Sequence, residues 1–271
     1  MGNKVKKAYK DLEFLNSIDA RTIRILAEYL EPASRFRKLN VKDTIVFCGS
    51  ARVVDGETAK KRYNYIKKQF EEDSSEQTRK KLRSAEINLQ MSRYYDEARE
   101  LTRLLTEWSV GLENSHHRFL ICSGGGPGIM EAVNRGSKDV PGGRSIGLNI
   151  SIPIEQDSND YITPELNFEF HYFFMRKFWF VYLAKALVIF PGGFGTMDEL
   201  WEVLTLLQTG KIQKPMAVVL YGEEYWKNVI NFQYMVEQMV IDENDIALFR
   251  ICNTTQEAFE YLKDELTRAF L

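Results

Sequence analysis

Ala186-Leu-Val-Ile-Phe-Pro-Gly-Gly-Phe-Gly-Thr-Met-Asp-Glu199 is the stretch on which the fold turns. Ala186 to Phe190 is a short apolar run with the profile of a buried parallel strand. Pro191, Gly192 and Gly193 break it, and Met197 onward resumes with helical spacing through Leu200, Val203 and Leu204. A strand that passes through glycines straight into a helix leaves the first N–H groups of that helix without partners, facing whatever lies beyond the strand end.

The same grammar recurs upstream. Arg118-Phe-Leu-Ile-Cys122 runs into Ser123-Gly124-Gly125-Gly126-Pro127-Gly128-Ile129-Met130-Glu131, where Pro127 suits a first helical turn. Thr44-Ile-Val-Phe-Cys48 runs into Gly49-Ser50-Ala51-Arg52. Further strands are predicted at Ser145–Ile150, Asn167–Tyr172, Pro215–Leu220 and Leu248–Cys252. Helices are predicted at Tyr95–Trp108, Phe173–Lys185 and Glu223–Glu237 and from Thr254 onward. Such alternation implies parallel pairing and a doubly wound, Rossmann-like α/β sheet with helices on both faces. Two additions flank it. Residues 1–43 read as an N-terminal helical arm, with Ile18, Ile23, Leu26 and Leu30 as its packing stripe. Residues 44–271 form the nucleotide-binding domain, interrupted at about 53–93 by a charged helical insertion.

Composition narrows the function classes. Among 271 residues, 36 Lys+Arg oppose 38 Asp+Glu, so no basic field exists to hold nucleic acid or a membrane surface. Cys48, Cys122 and Cys252 form no CxxC and no Cys/His cluster, which argues against structural zinc and against a disulfide framework. They read as inert core thiols. Met1 to Asn16 holds no apolar run of the signal-peptide kind, and a soluble cytoplasmic protein is expected.

In open α/β sheets ligands bind beyond the carboxyl ends of strands, so the three glycine turns are the candidate site. Two helix N-termini at one crevice suit a phosphate and the sugar beside it, a ligand of mononucleotide size. The glycines are not in the GxGxxG register, and no GK[ST] follows them, so neither a dinucleotide cofactor nor a Walker-type triphosphate site is expected. Glu199 has two readings: Thr196-x-x-Glu199 is a capping box, and Glu199 is also a carboxylate beside the crevice. Arg176 and Lys177 interrupt an aromatic segment and must aim their charges at water, a carboxylate or a ligand. His116, His117 and His171 lack a partnered Ser or Cys and read as non-catalytic.

GGGPGIMEA, then MRK, then PGGFGTMDE resemble the motifs of the LOG family, cytokinin riboside 5′-monophosphate phosphoribohydrolases and their bacterial nucleotide-nucleosidase relatives, historically mislabelled lysine decarboxylases. The resemblance covers about Thr44 to Leu271. It implies a nucleoside 5′-monophosphate N-glycosidase that releases adenine or an N6-modified adenine and ribose 5-phosphate, with no cofactor and no metal. Arg176 and Glu199 would be the catalytic pair. Gly192, Gly193, Gly195 and Thr196 would hold the 5′-phosphate. Gly49, Ser50, Gly124, Gly125, Gly126 and Gly128 would line the nucleoside pocket, with Met175 and Lys177 beside Arg176. A homodimer or higher homo-oligomer is also implied, and the aromatic helix from Phe173 to Tyr182 fits a subunit interface. Glu131 stands where plant-type members usually carry glycine. The competing class is a non-catalytic nucleotide or pterin-cofactor carrier. A lysine-based decarboxylase would need Lys177 or Lys185 at a cofactor site that nothing in the sequence marks.

Overall fold

The computed structural model describes residues 5–112, 118–153 and 157–271. His116 and His117 lie outside them. Among the described residues one sheet carries β1 (Thr44–Cys48), β2 (Leu120–Ser123), β3 (Ser145–Ile150), β4 (Asn167–Phe170), β5 (Ala184–Ile189), β6 (Ala217–Tyr221) and β7 (Arg250–Cys252). Its order is β4-β3-β2-β1-β5-β6-β7, and every pairing is parallel. The chain therefore steps outward from β1 to β4, then crosses back to lay β5 on the other side of β1. The doubly wound α/β fold read from the alternation is the one observed.

Helices α1 (Leu12–Asn16) and α2 (Arg21–Lys38) precede β1, while α3 (Gly56–Glu72), α4 (Glu76–Met91) and α5 (Arg93–Val110) fill the connection to β2. Then come α6 (Ile129–Lys138) after β2, α7 (Phe173–Tyr182) after β4 and α8 (Phe194–Gln208) after β5. Helices α9 (Glu223–Val229) and α10 (Phe232–Glu237) follow β6, and α11 (Thr255–Phe270) follows β7. The strand period of two splits β1 between two cores. Ile45 and Phe47 pack with Tyr95, Leu101, Ile129 and Leu262 on one face, and Val46 and Cys48 pack with Trp179, Phe180, Leu200 and Val203 on the other.

Several local expectations need correction. Pro127 precedes the Gly128 N-cap of α6 and lies outside its first turn, and α7 stops at Tyr182, so that Lys185 belongs to β5. The stripe Ile18, Ile23, Leu26 and Leu30 is exposed, Ile18 to 90%. Helix α2 starts only at Arg21, and it buries Pro32 and Phe36 with Ile25 and Ala33 partly covered, a face about 200° round from Ile23. Phe36 sets that face by sitting between the rings of Phe168 and Trp179, at 4.8 and 5.4 Å. The helix expected over Glu223–Glu237 is two, because Asn231 leaves helical geometry and its side chain accepts the Tyr234 N–H to start α10. The strand expected to reach Tyr172 ends at Phe170, because the N–H groups of His171 and Tyr172 donate to the Glu28 carboxylate of α2 at 2.8 and 3.2 Å.

These contacts wire α2 to the start of α7, and Trp179 Nε1 adds a bond to the Glu28 carbonyl at 2.9 Å. The expected insertion is a helical hairpin, α3 and α4, with Asp55 and Ser75 as N-caps and only Ala59 and Ala85 buried among its helical residues. Phe36→Ala removes the buried ring that seats α2 and should lower unfolding free energy by about 3 kcal/mol or more in urea titrations. A loss below about 1 kcal/mol would show that α2 is docked independently of the core.

Candidate active site

The crossover that puts β5 beside β1 makes their carboxyl ends the two walls of a crevice. Backbone bonds stitch the loops there. Phe190 N–H donates to Cys48 O at 2.8 Å, Ser50 N–H to Pro191 O at 3.0 Å, and Ile129 N–H to Ser50 O at 3.0 Å. One residue, Ser50, thus ties the turns after β1, β2 and β5 together. Gly128 makes the close approach possible: its φ is +72°, and a Cβ there would stand 2.3 Å from Ser50 O.

A cavity of about 580 Å³ opens at this junction, within the range of small-ligand sites. Of the residues singled out in the sequence, Gly49, Ser50, Gly124, Arg176, Gly192, Gly193, Gly195, Thr196 and Glu199 line it. Gly125, Gly126, Gly128, Met175 and Lys177 are not on its wall. Gly125 and Gly126 instead serve the loop, their carbonyls accepting from the Asn159 amide at 2.9 and 3.0 Å, while Gly125 N–H donates to Ser123 Oγ. Met175 is buried in the core. Glu131 also points elsewhere, accepting from Tyr95 OH at 2.6 Å.

Helix α8 begins at Phe194 with Gly193 as N-cap, and its first bond runs from Met197 N–H to Gly193 O at 3.0 Å. The N–H groups of Phe194, Gly195 and Thr196 therefore precede the intrahelical ladder. Thr196 is the third helical residue and not the N-cap, so the capping box does not form and Glu199 is released from it. Gly192 is needed sterically, since a Cβ there would meet Thr196 Oγ1 at 2.1 Å.

Glu199 is buried at the cavity wall, and its Oε1 lies 3.3 Å from Arg176 Nη2. The Arg176 guanidinium sits over the rings of Phe173 and Phe180 at 5.4 and 5.3 Å, and its buried Nε has no protein partner. Next to it, Lys177 Nζ pairs with Asp198 at 2.9 Å and Glu202 at 3.2 Å. Adjacent cations on α7 thus meet adjacent acids on α8, the inner pair facing the cavity. Burial pushes the Glu199 carboxyl up from an ordinary 4.5 to about 7, against the opposing pull of Arg176 and Lys177. Burial likewise drives the Cys48 and Cys122 thiols upward, which keeps them protonated.

Arg52 of the first glycine turn, read from the sequence as a ligand contact, lines the cavity, whereas Met91 and Tyr225 on its wall were missed. Tyr225 follows the carboxyl end of β6, where the strand-end rule could have found it. Met91 ends α4 and brings the insertion to the site, with no local signal. His171 is exposed on the surface. Among the described residues no group of three or more His, Cys, Asp or Glu side chains is arranged to hold a metal. None of their helices is long and apolar enough to cross a membrane.

A family described as "Possible lysine decarboxylase" matches residues 130–262, just under half of the chain. Two curated rice proteins (Oryza sativa subsp. japonica) are similar. The probable cytokinin riboside 5′-monophosphate phosphoribohydrolase LOGL3 is 30% identical over 82 residues, covering 30% of this chain and 38% of that protein. Its counterpart LOG4 is 28% identical over 149 residues, covering 54% and 62%. The resemblance to the LOG family is supported. The matched region spans less than two thirds of either rice protein. A distant likeness to the molybdenum cofactor binding protein of the phototrophic bacterium Rippkaea orientalis has a TM-score of 0.43 at 15% identity, over 63% of this chain and 86% of that one.

The raised Glu199 carboxyl has a stability consequence. Between about pH 4.5 and 7 the unfolded chain ionises this group while the folded chain holds its proton, so its contribution to stability falls as pH rises and is level above that window. Denaturation of Glu199→Gln beside the wild type should show the variant gaining on the order of 3 kcal/mol relative to wild type across that window. A pH-independent difference would place Glu199 at an ordinary pKa.

Proposed function

We propose that the protein hydrolyses the N-glycosidic bond of nucleoside 5′-monophosphates, adenine or N6-modified adenine being the base expected from the family resemblance. The observation that carries this reading is that one helix, α8, offers both unbonded N-terminal N–H groups and, three residues beyond Thr196, a buried carboxylate at the same cavity wall. Three residues are about 4.5 Å of helix rise, the scale of a ribose ring. The 5′-phosphate is held by the α8 N-terminus, where dipole and N–H groups favour an anion. The ribose lies along the helix toward Glu199, and the base lies toward Gly49, Ser50 and Gly124.

Cleavage develops positive charge at C1′ and the ring oxygen as the base departs. The Glu199 carboxylate stabilises that charge and takes a proton from the water that adds to C1′. A pKa of about 7 suits the second task, because the group is largely ionised just above neutrality yet basic enough to accept a proton. A guanidinium is not a proton donor in proteins, so Arg176 orients Glu199 and the substrate, and the departing base takes its proton from solvent water, to which Glu199 returns the one it accepted. The decarboxylase name of the matching family finds less support. Lys177 is pulled upward in pKa because Asp198 and Glu202 outweigh its burial, the opposite of what a Schiff-base lysine needs, and Lys185 pairs with Asp43.

We also propose that the chain works as a homodimer or larger homo-oligomer through α7, whose Phe173, Phe174, Phe178 and Tyr182 are exposed beside the exposed Tyr29 of α2. Light scattering at micromolar concentration should give at least twice the chain mass, and a monomeric mass would remove this interface. Glu199→Gln should retain its fold and lower AMP turnover by on the order of 100-fold or more, with KM changed less. Wild-type kcat should fall on the acid side of an apparent pKa near 7, as Glu199 becomes protonated. Adenine release by the variant at the wild-type rate would refute the role given to Glu199.

A further inference from the structure

Tyr225 lies in the first turn of α9 on the cavity wall, and its hydroxyl donates to the carbonyl oxygen of Gly192 at 2.6 Å. We propose that Tyr225 is a positioning residue for anion binding, one that holds the Gly192–Gly193 peptide so that its carbonyl stays turned from the bound phosphate. The inference rests on the phosphate-end assignment made above and adds a residue to it.

The Gly192–Gly193 peptide is the one in this loop that geometry leaves free to turn. Glycines flank it on both sides, and nothing stands within 4 Å of where a Gly193 side chain would be. The peptides around it are held by main-chain bonds: Phe190 N–H to Cys48 O, Ser50 N–H to Pro191 O, and Met197 N–H to Gly193 O. The Gly192 oxygen is instead held by a side chain. Because C=O and N–H of a trans peptide point in opposite directions, rotating this unit would exchange a donor for an acceptor at the N-terminus of α8. A carbonyl oxygen facing phosphate oxygens would oppose the helix dipole that attracts the anion.

Tyr225 is itself well anchored. Its ring stands edge-on to Trp226 at 5.2 Å, and Trp226 is fully buried with Nε1 donating to Tyr221 O at the end of β6. The hydroxyl is thus referenced to the sheet through Trp226.

Tyr225→Phe keeps the ring and deletes the donor. Calorimetric titration with AMP, ribose 5-phosphate and adenosine reads the effect, with Glu199→Gln carried by both the Tyr225 parent and the Tyr225→Phe variant so that AMP is bound without appreciable turnover. Affinity for AMP and ribose 5-phosphate should fall about 3- to 10-fold, the range of one neutral hydrogen bond, while affinity for adenosine is unchanged. KM for AMP should rise by a similar factor with kcat altered less than about twofold. Thermal melting checks that the variant is folded. A uniform loss for all three ligands, or no loss for any, would overturn the proposal. A Tyr225 parent that binds AMP no more tightly than adenosine would overturn the phosphate-end assignment and Tyr225's role with it. Wild type that binds AMP without cleaving it would remove only the hydrolase reading, since the binding comparison still tests Tyr225.

Discussion

The backbone of Ser50 is the constraint on which the site depends. Its N–H donates to Pro191 O and its carbonyl accepts from Ile129 N–H, so one peptide segment at the end of β1 joins the turn leading to α8 with the start of α6. Parallel sheets place all strand ends on one side, yet only neighbouring strands can share such bonds. With β1 between β2 and β5, the three glycine turns converge there, and Gly128 clears the space in which Ile129 reaches Ser50. A bulky side chain at that contact would separate α6 from the crevice and open the cavity floor.

Electrostatics then divide the α7–α8 contact into two layers. Lys177, Asp198 and Glu202 form an outer, partly solvated set in which one cation is shared between two carboxylates. Arg176 and Glu199 form an inner pair, with a single 3.3 Å contact and a guanidinium Nε left unpartnered. A tighter, bidentate pair would hold Glu199 firmly ionised. The looser one leaves burial in control of its pKa and leaves the carboxylate with capacity for a ligand or water. Helix α2 stiffens this arrangement from behind, because Glu28 accepts the N–H groups that open α7, one turn before Arg176.

Much of the fold could be read from local pattern. Thr44–Cys48, Ser145–Ile150 and the glycine turns were visible because apolar runs of strand length, followed by glycine and helical spacing, carry their own period. Arg176 stood out as a charge in an aromatic segment, and Glu199 as an acid one turn into a helix. What pattern could not supply was orientation. The stripe Ile23, Leu26 and Leu30 has helical spacing, but so does the face α2 buries with Ile25, Pro32, Ala33 and Phe36, and Phe36 between Phe168 and Trp179 decided the matter from distant sequence. Thr196-x-x-Glu199 fits a capping box in letters, but the helix begins two residues before Thr196, at Phe194.

Sequence alone therefore determined most of the elements, their alternation and the three glycine turns after strands, because those follow from residue-by-residue steric and solvation preferences. Tertiary structure alone decided that β5 lies beside β1, that Glu199 is desolvated next to Arg176, and that Tyr225 and Met91 reach the same cavity. Each of these depends on which segments distant in the chain become neighbours. Pairing order and burial are set by the packing of the whole sheet, and a local window of residues contains neither.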